Sequence, residues 1–208
     1  MSHREPTRRE LLGAGAAGAA GLLALPATAT AATTTSESTS TSGQPPLTET
    51  ERLQRLIGLE LLLLYCYHHV LDSSILKPGT RRTLAPFVGH EQAHIDALQT
   101  QLRAHGGAAS SGPDSVKTAN RYLAHRNVAG RLGQLKGSRD ALNLLLRLEQ
   151  TMIGAYFVAL INVNDSKLIS LVCQIMANEA QHDAMIGLSM PKGKPGNAVP
   201  YGMVQGLQ

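Results

Sequence analysis

Residues 56–70 read LIGLELLLLYCYHHV and residues 142–163 read LNLLLRLEQTMIGAYFVALINV, and each sets one glutamate in an otherwise apolar face. In the first stretch and its flank, Leu53, Leu56, Ile57, Glu60, Leu63, Leu64, Tyr67 and Val70 recur at steps of three and four, the period of one α-helical face. Leu142, Leu145, Leu146, Glu149, Met152, Ile153, Tyr156, Leu160 and Val163 repeat the pattern. Two more seams run Leu84, Phe87, Val88, Glu91, His94, Ile95, Leu98, Leu102 and Leu168, Leu171, Val172, Ile175, Met176, Glu179, His182, Ile186. A carboxylate buried alone is costly, so each of these four glutamates needs a partner.

The spacing predicts an all-α fold of two antiparallel hairpins. Lys77-Pro78-Gly79 falls midway between Glu60 and Glu91, and Asn164-Asp165-Ser166 midway between Glu149 and Glu179. Twelve residues lead from Glu60 to Asp72 and twelve from Gly79 to Glu91, about 18 Å of helix each way, so both carboxylates return to one height. Thr48-Glu49-Thr50-Glu51 predicts a capping box at the first helix, and Pro86 is placed in the first turn of the second. Gly106 to Pro113 should end that helix near His105. Val116 to Leu135 then reads as a crossover helix of about 30 Å, although Gly130 and Gly133 interrupt it. Leu59, Leu61, Leu62, Tyr65 and Cys66 are apolar outside the first seam; the crossover, or a second copy of the chain in a homodimer, would cover them.

The chemistry resides in a repeat. Its halves are Glu60 with Glu91-Gln92-Ala93-His94, and Glu149 with Glu179-Ala180-Gln181-His182. A three-residue step puts Glu and His on one helical face, where both can meet one ion. Nine Glu and eight His would give roughly 0.35 such pairs by chance, so two with matching upstream glutamates are a signal. After Glu51 the chain contains four glutamates, and they are these four. Four carboxylates and two divalent ions sum to zero charge, which suits an apolar bundle. Oxygen donors with two imidazoles favour iron or manganese over zinc. The metal-ligating candidates are therefore Glu60, Glu91, His94, Glu149, Glu179 and His182, for two Fe, or alternatively two Mn or a mixed Fe/Mn pair. Two ions about 3.5–4 Å apart can engage one O₂ or peroxide. Tyr67 and Tyr156, seven residues after each lone Glu, are the catalytic candidates, as hydrogen-bond partners of the carboxylates or electron donors.

With these residues the chain resembles the ferritin-like superfamily of dinuclear carboxylate proteins, which includes ferritins, bacterioferritins, rubrerythrins and manganese catalases. It is similar more narrowly to exported bacterial ferritin-like domain proteins related to desiccation-associated proteins. The resemblance covers residues 47–188 and implies a four-helix bundle with a long crossover. It implies terminal ligation by Glu60 and Glu149, bridging by Glu91 and Glu179, and one histidine for each metal. The implied activity is Fe(II) oxidation or consumption of O₂ or peroxide, in ferroxidase, peroxidase or manganese-catalase fashion. The alternative is a non-enzymatic metal-binding or stress-protective role. No rubredoxin-like cysteine set, fifth-helix seam or placed haem methionine accompanies the motif.

Outside the bundle, Arg8-Arg9 before an Ala/Gly/Leu-rich run, with cleavage options at Ala27-Thr28-Ala29 and Ala29-Thr30-Ala31, resembles a twin-arginine export signal over residues 1–31. The periplasm, cell surface or medium is the expected destination, without a transmembrane anchor in the mature chain. Residues 32–46 read as a Ser/Thr/Pro-rich linker and 189–208 as a Pro/Gly-rich tail. A net charge of +4 without a basic block interleaved with aromatics argues against nucleic acid as a partner. Cys66 and Cys173, six residues to opposite sides of their site glutamates on parallel helices, would lie near 18 Å apart, too far for a disulfide. Both are expected to be buried thiols. His68, His69 and His90 are expected to be solvated.

Overall fold

The computed structural model describes residues 47–108 and 110–190. The expected export signal, the linker and the tail beyond Met190 lie outside the described residues. Helices account for the described secondary structure, and no strand occurs among them. Four long helices form the bundle: α1 (Glu49–Asp72), α3 (Phe87–Ala104), α5 (Ser138–Leu160) and α6 (Ser166–Ser189). Two short helices, α2 (Pro78–Leu84) and α4 (Val116–His125), and a 3-10 turn at Leu132–Gln134 lie in the connections. None of the helices described is long and apolar enough to cross a membrane.

Local chemistry sets the helix ends. The Glu51 N–H donates to Thr48 Oγ1 at 3.2 Å and the Thr48 N–H donates to Glu51 Oε2 at 2.8 Å, the reciprocal capping box. Asp165 caps α6 by accepting from the Lys167 and Leu168 N–H groups at 2.8 and 2.9 Å. At the end of α3, Gly106 takes the left-handed conformation (φ 72°). Gly106 N–H then bonds to the Arg103 carbonyl at 3.0 Å and Gly107 N–H to the Leu102 carbonyl at 2.9 Å.

The connections depart from expectation twice. The turn at Pro78 is a helix of its own, because proline at N1 fits a helix start as well as a turn. The second long helix then begins at Phe87, with Pro86 as its N-cap rather than within its first turn. The crossover helix ends at His125, ten residues short of Leu135. Asn127 adopts φ 57°, its N–H bonding to the Ala124 carbonyl at 3.1 Å and the Val128 N–H to the Leu123 carbonyl at 3.0 Å. That paired closure ends a helix as firmly as a glycine would. Asn120 Oδ1 then accepts the Leu132 N–H at 2.8 Å and holds the returning loop against α4.

α1 packs against α3 and α5, and α6 packs against α5 and α3. The core is aliphatic, with Tyr67 and Tyr156 as its largest wholly buried side chains. Leu59, Leu62 and Cys66 are buried and Leu61 and Tyr65 half-buried. Contacts of α1 with α4 and the 3-10 turn, and of Leu61 with Gly112, show the crossover covering this second face. Both thiols are free, and burial pushes the Cys66 thiol up to about 12. Cys173 is only half-buried, a correction to the expected pair of buried thiols, because it lies off the inward stripe of α6 marked by Leu168, Val172 and Ile175.

Candidate metal centre

All six candidate ligands converge. Glu60, Glu91, Glu149 and Glu179 are fully buried, His182 is 2 % exposed and His94 8 %. Their ligand atoms form two overlapping groups, each spanning no more than 4.8 Å: Glu60, Glu91, His94 and Glu179 in one, Glu91, Glu149, Glu179 and His182 in the other. Glu91 and Glu179 belong to both. An approximate two-fold relates the halves: His94 Nδ1 lies 2.9 Å from Glu179, and His182 Nδ1 lies 3.0 Å from Glu91. Each histidine thus approaches most closely the carboxylate supplied by the other hairpin.

The tyrosines cross the same axis. The Tyr67 O–H donates to Glu149 Oε1 and the Tyr156 O–H to Glu60 Oε1. Each phenol therefore serves the lone glutamate of the opposite helix rather than the one seven residues before it. Because 60 faces 156 and 67 faces 149, α1 and α5 run antiparallel. Burial raises both phenols well above their ordinary value, and the adjoining carboxylates raise them further, so both remain donors.

Counting the remaining lone pairs tests whether metal fits. Glu60 and Glu149 each keep one buried oxygen without a hydrogen-bond partner, and Glu91 and Glu179 keep both. The Nδ1 atoms of His94 and His182 also lack one, since their short approaches to the carboxylates are not aligned as hydrogen bonds. Eight buried atoms are left facing one another, where natural interiors leave almost none unpaired. Two cations would satisfy them, Glu60 and His94 offering donors to one, Glu149 and His182 to the other, and Glu91 and Glu179 to either. The residues present fit a dinuclear centre.

The opposite edge of each imidazole is also held. His94 Nε2 lies 3.0 Å from Asn178 Oδ1, and His182 Nε2 lies 2.9 Å from His90 Nδ1. With Nε2–H donating outward, Nδ1 offers its lone pair inward. Phe87 stacks on His182 with ring centroids 4.1 Å apart and meets Tyr67 edge-on at 6.0 Å.

His90, expected to be solvated, instead bonds a site histidine while still exposed. Its position beside Glu91 sends it toward α6, which intrahelical spacing alone does not reveal. His68 is exposed and His69 half-buried. The signal for His90 and Asn178 was the repeat itself, because each stands immediately before its paired glutamate. Asp183 was missed as well. It is fully buried with neither oxygen hydrogen-bonded, four residues after Glu179 and three before Ile186, and so on the inward face of α6.

With no cation between them the groups must share protons. Burial raises Glu60 and Glu149 well above the carboxylate range, and the neighbouring Glu179 charge raises them further. Burial alone would lower His94, but Glu179, Glu60 and Glu91 beside it hold it up at about 12; Glu179 and Glu91 likewise raise His182. Burial would raise Glu179, yet contact with protonated Glu149 and both imidazoles brings it down to about 2.

The sequence pattern of the ferritin-like domain family matches residues 48–190, most of the chain, and the protein belongs to that family. No curated protein and no solved structure matches the chain.

Two outcomes are expected. Chelator-stripped protein should lose thermal stability as pH rises from 5 to 9. Glu60, Glu149, His94 and His182 bind protons more tightly folded than unfolded, so their contribution is complete below their ordinary values and is lost above them. Glu179 acts oppositely, its contribution vanishing as pH falls from 4.5 toward 2. A melting temperature flat across pH 5–9 would contradict the proton-sharing arrangement. Second, Asp183→Asn should raise the melting temperature at pH 8 by a few degrees, about 2–4 °C, and leave it unchanged at pH 4. Burial pushes Asp183 up to about 6, so the wild-type residue loses stability between 3.8 and that value.

Proposed function

We propose that the chain is a dinuclear iron or manganese carboxylate oxidoreductase that oxidises Fe(II) or consumes O₂ or peroxide. The observation that carries this reading is the set of eight buried, unpartnered donor atoms arranged as two groups with two glutamates in common. Four protein donors to each ion leave coordination positions open, as a reactive centre requires and a closed structural site does not. When bound, the metal pair would supply redox equivalents and a shared face for an oxygen substrate.

The chain's own residues do the rest. Tyr67 and Tyr156 each occupy one oxygen of a lone glutamate and so restrict it to one free oxygen for an ion. Glu91 and Glu179, with both oxygens free, suit the bridging positions. The aliphatic core excludes bulk water, and a hollow of about 240 Å³ between α3 and α6, lined by Ala93, Ala97, Leu171, Gln174 and Ile175, reaches His94. The phenols also stand where a proton could pass to the carboxylates.

Export by the twin-arginine route is part of the same proposal. It rests on Arg8-Arg9, the apolar run and the small-residue cleavage options, and it suits a protein that loads its metal while folding before it leaves the cytoplasm. That signal and the six-residue motif together favour an exported, desiccation-related ferritin-like protein.

Purified protein should hold two Fe or Mn per chain and show Fe(II)-dependent O₂ uptake or peroxide decay. Glu149→Ala should lower the metal content and abolish turnover. Full metal content with no turnover of either kind would instead support a non-enzymatic, stress-protective role. Separately, replacing Arg8 and Arg9 with lysine should retain the chain in the cytoplasm, and sequencing of exported wild type should begin at Thr30 or Ala32. Undiminished export of the double variant would refute the route.

A further inference from the structure

The two halves match in all six ligands and differ in what stands behind the histidines. In each half the residue before the paired glutamate reaches across to the opposite histidine. Asn178 accepts from His94 Nε2 at 3.0 Å, whereas His90 offers Nδ1 to His182 Nε2 at 2.9 Å. One acceptor is an amide oxygen and the other an imidazole nitrogen. The nitrogen lone pair is the stronger base and draws harder on the N–H it meets. That pull increases electron density at the far ring nitrogen, the one facing the carboxylates.

The surroundings differ in the same sense. His182 has Phe87 stacked on its face at 4.1 Å and 19° and His90 nearly coplanar at its edge, 5.2 Å and 9°, so its orientation is fixed before any ion arrives. Among the described residues, His94 has no aromatic partner nearer than His182 at 6.2 Å, and it borders the hollow between α3 and α6. It is also the more exposed of the pair, at 8 % against 2 %.

We propose that His90 is a positioning residue that makes the two metal positions unequal. The position served by His182 binds first and more tightly, and the position served by His94 fills second and exchanges. The inference rests on the dinuclear reading above and adds an order to it. It gives the pair one resident ion and one that comes and goes beside the hollow, which is how a nearly symmetric ligand set acquires a direction.

The test is a stepwise titration of the metal-stripped full chain with Mn(II), followed by calorimetry and by the loss of free Mn(II) paramagnetic signal. Wild type should bind two ions in steps separated by at least about tenfold, since the partners behind metal-bound histidines are worth 10–100-fold in affinity. His90→Ala should weaken the tighter step by about that factor and leave the other nearly unmoved. His90→Asn, which copies the other half, should draw the two steps together, and Asn178→His should strengthen the weaker one. Helical circular dichroism of each variant checks folding, and His90 is an exposed side chain whose removal leaves no core cavity.

Equal steps in wild type, or steps whose separation is the same in His90→Asn, would overturn the inference while leaving two bound ions and the dinuclear reading intact. So would a His90→Ala variant that weakens both steps alike. Fewer than two ions bound by wild type would overturn the dinuclear reading and the inference with it.

Discussion

Four carboxylates at one depth in an aliphatic bundle set the terms for everything around them. Desolvation opposes charging any one of them, and their mutual repulsion opposes charging all four. A protein can escape by supplying arginines or lysines, by keeping protons, or by taking up cations. Among the described residues only the two histidines form ion pairs with these glutamates, so the first escape is not used. The second operates in the metal-free site, where Glu60, Glu149, His94 and His182 all hold protons more tightly than usual. The third exchanges those protons for two divalent ions and satisfies the lone pairs that protons leave unaligned. The tyrosines fit this scheme as neutral donors that occupy one oxygen without adding charge.

The helical core and the convergence of the six side chains were legible in the sequence because periodicity and level are properties of single helices and simple turns. A glutamate that interrupts an apolar seam marks the inward face of its helix, and the nearly equal arms about Asp165 return Glu179 to the level of Glu149. The expected single helical arm from Gly79 to Glu91 is instead split between α2 and α3, so the shared level of Glu60 and Glu91 was read correctly from an incorrect path. Features decided by one backbone conformation were less legible. Asn127, in the left-handed region, ends α4 where apolar spacing alone would have carried it to Leu135. Proline 78 signals a helix start and a turn equally well, so α2 went unread. His90 was misjudged because its partner lies on another helix, and no intrahelical step indicates a neighbour across the bundle. Asp183 was overlooked for the opposite reason: it sits on the expected inward face, where an apolar residue belongs.

The internal two-fold organises the centre but is broken where it matters. The ligand atoms repeat across it, as do the phenols. The breaks are His90 against Asn178 and, four residues before each paired glutamate, Phe87 against Ile175. Both lie outside the ligand set. A repeated half can therefore keep its coordination chemistry while the residues behind it diverge.

The crossed tyrosine–glutamate pairs carry a consequence for how the gene can vary. Seven residues separate the glutamate and the tyrosine on α1, and seven separate them on α5, and the two intervals are read against each other in opposite directions. Losing or gaining one codon inside either interval would rotate one phenol by about 100° and carry it off its carboxylate. The same change in the part of the crossover between Gly106 and Ser115, ahead of the buried residues of α4, would leave both intervals untouched. Length polymorphism in natural relatives should therefore gather in the crossover and spare the two heptads.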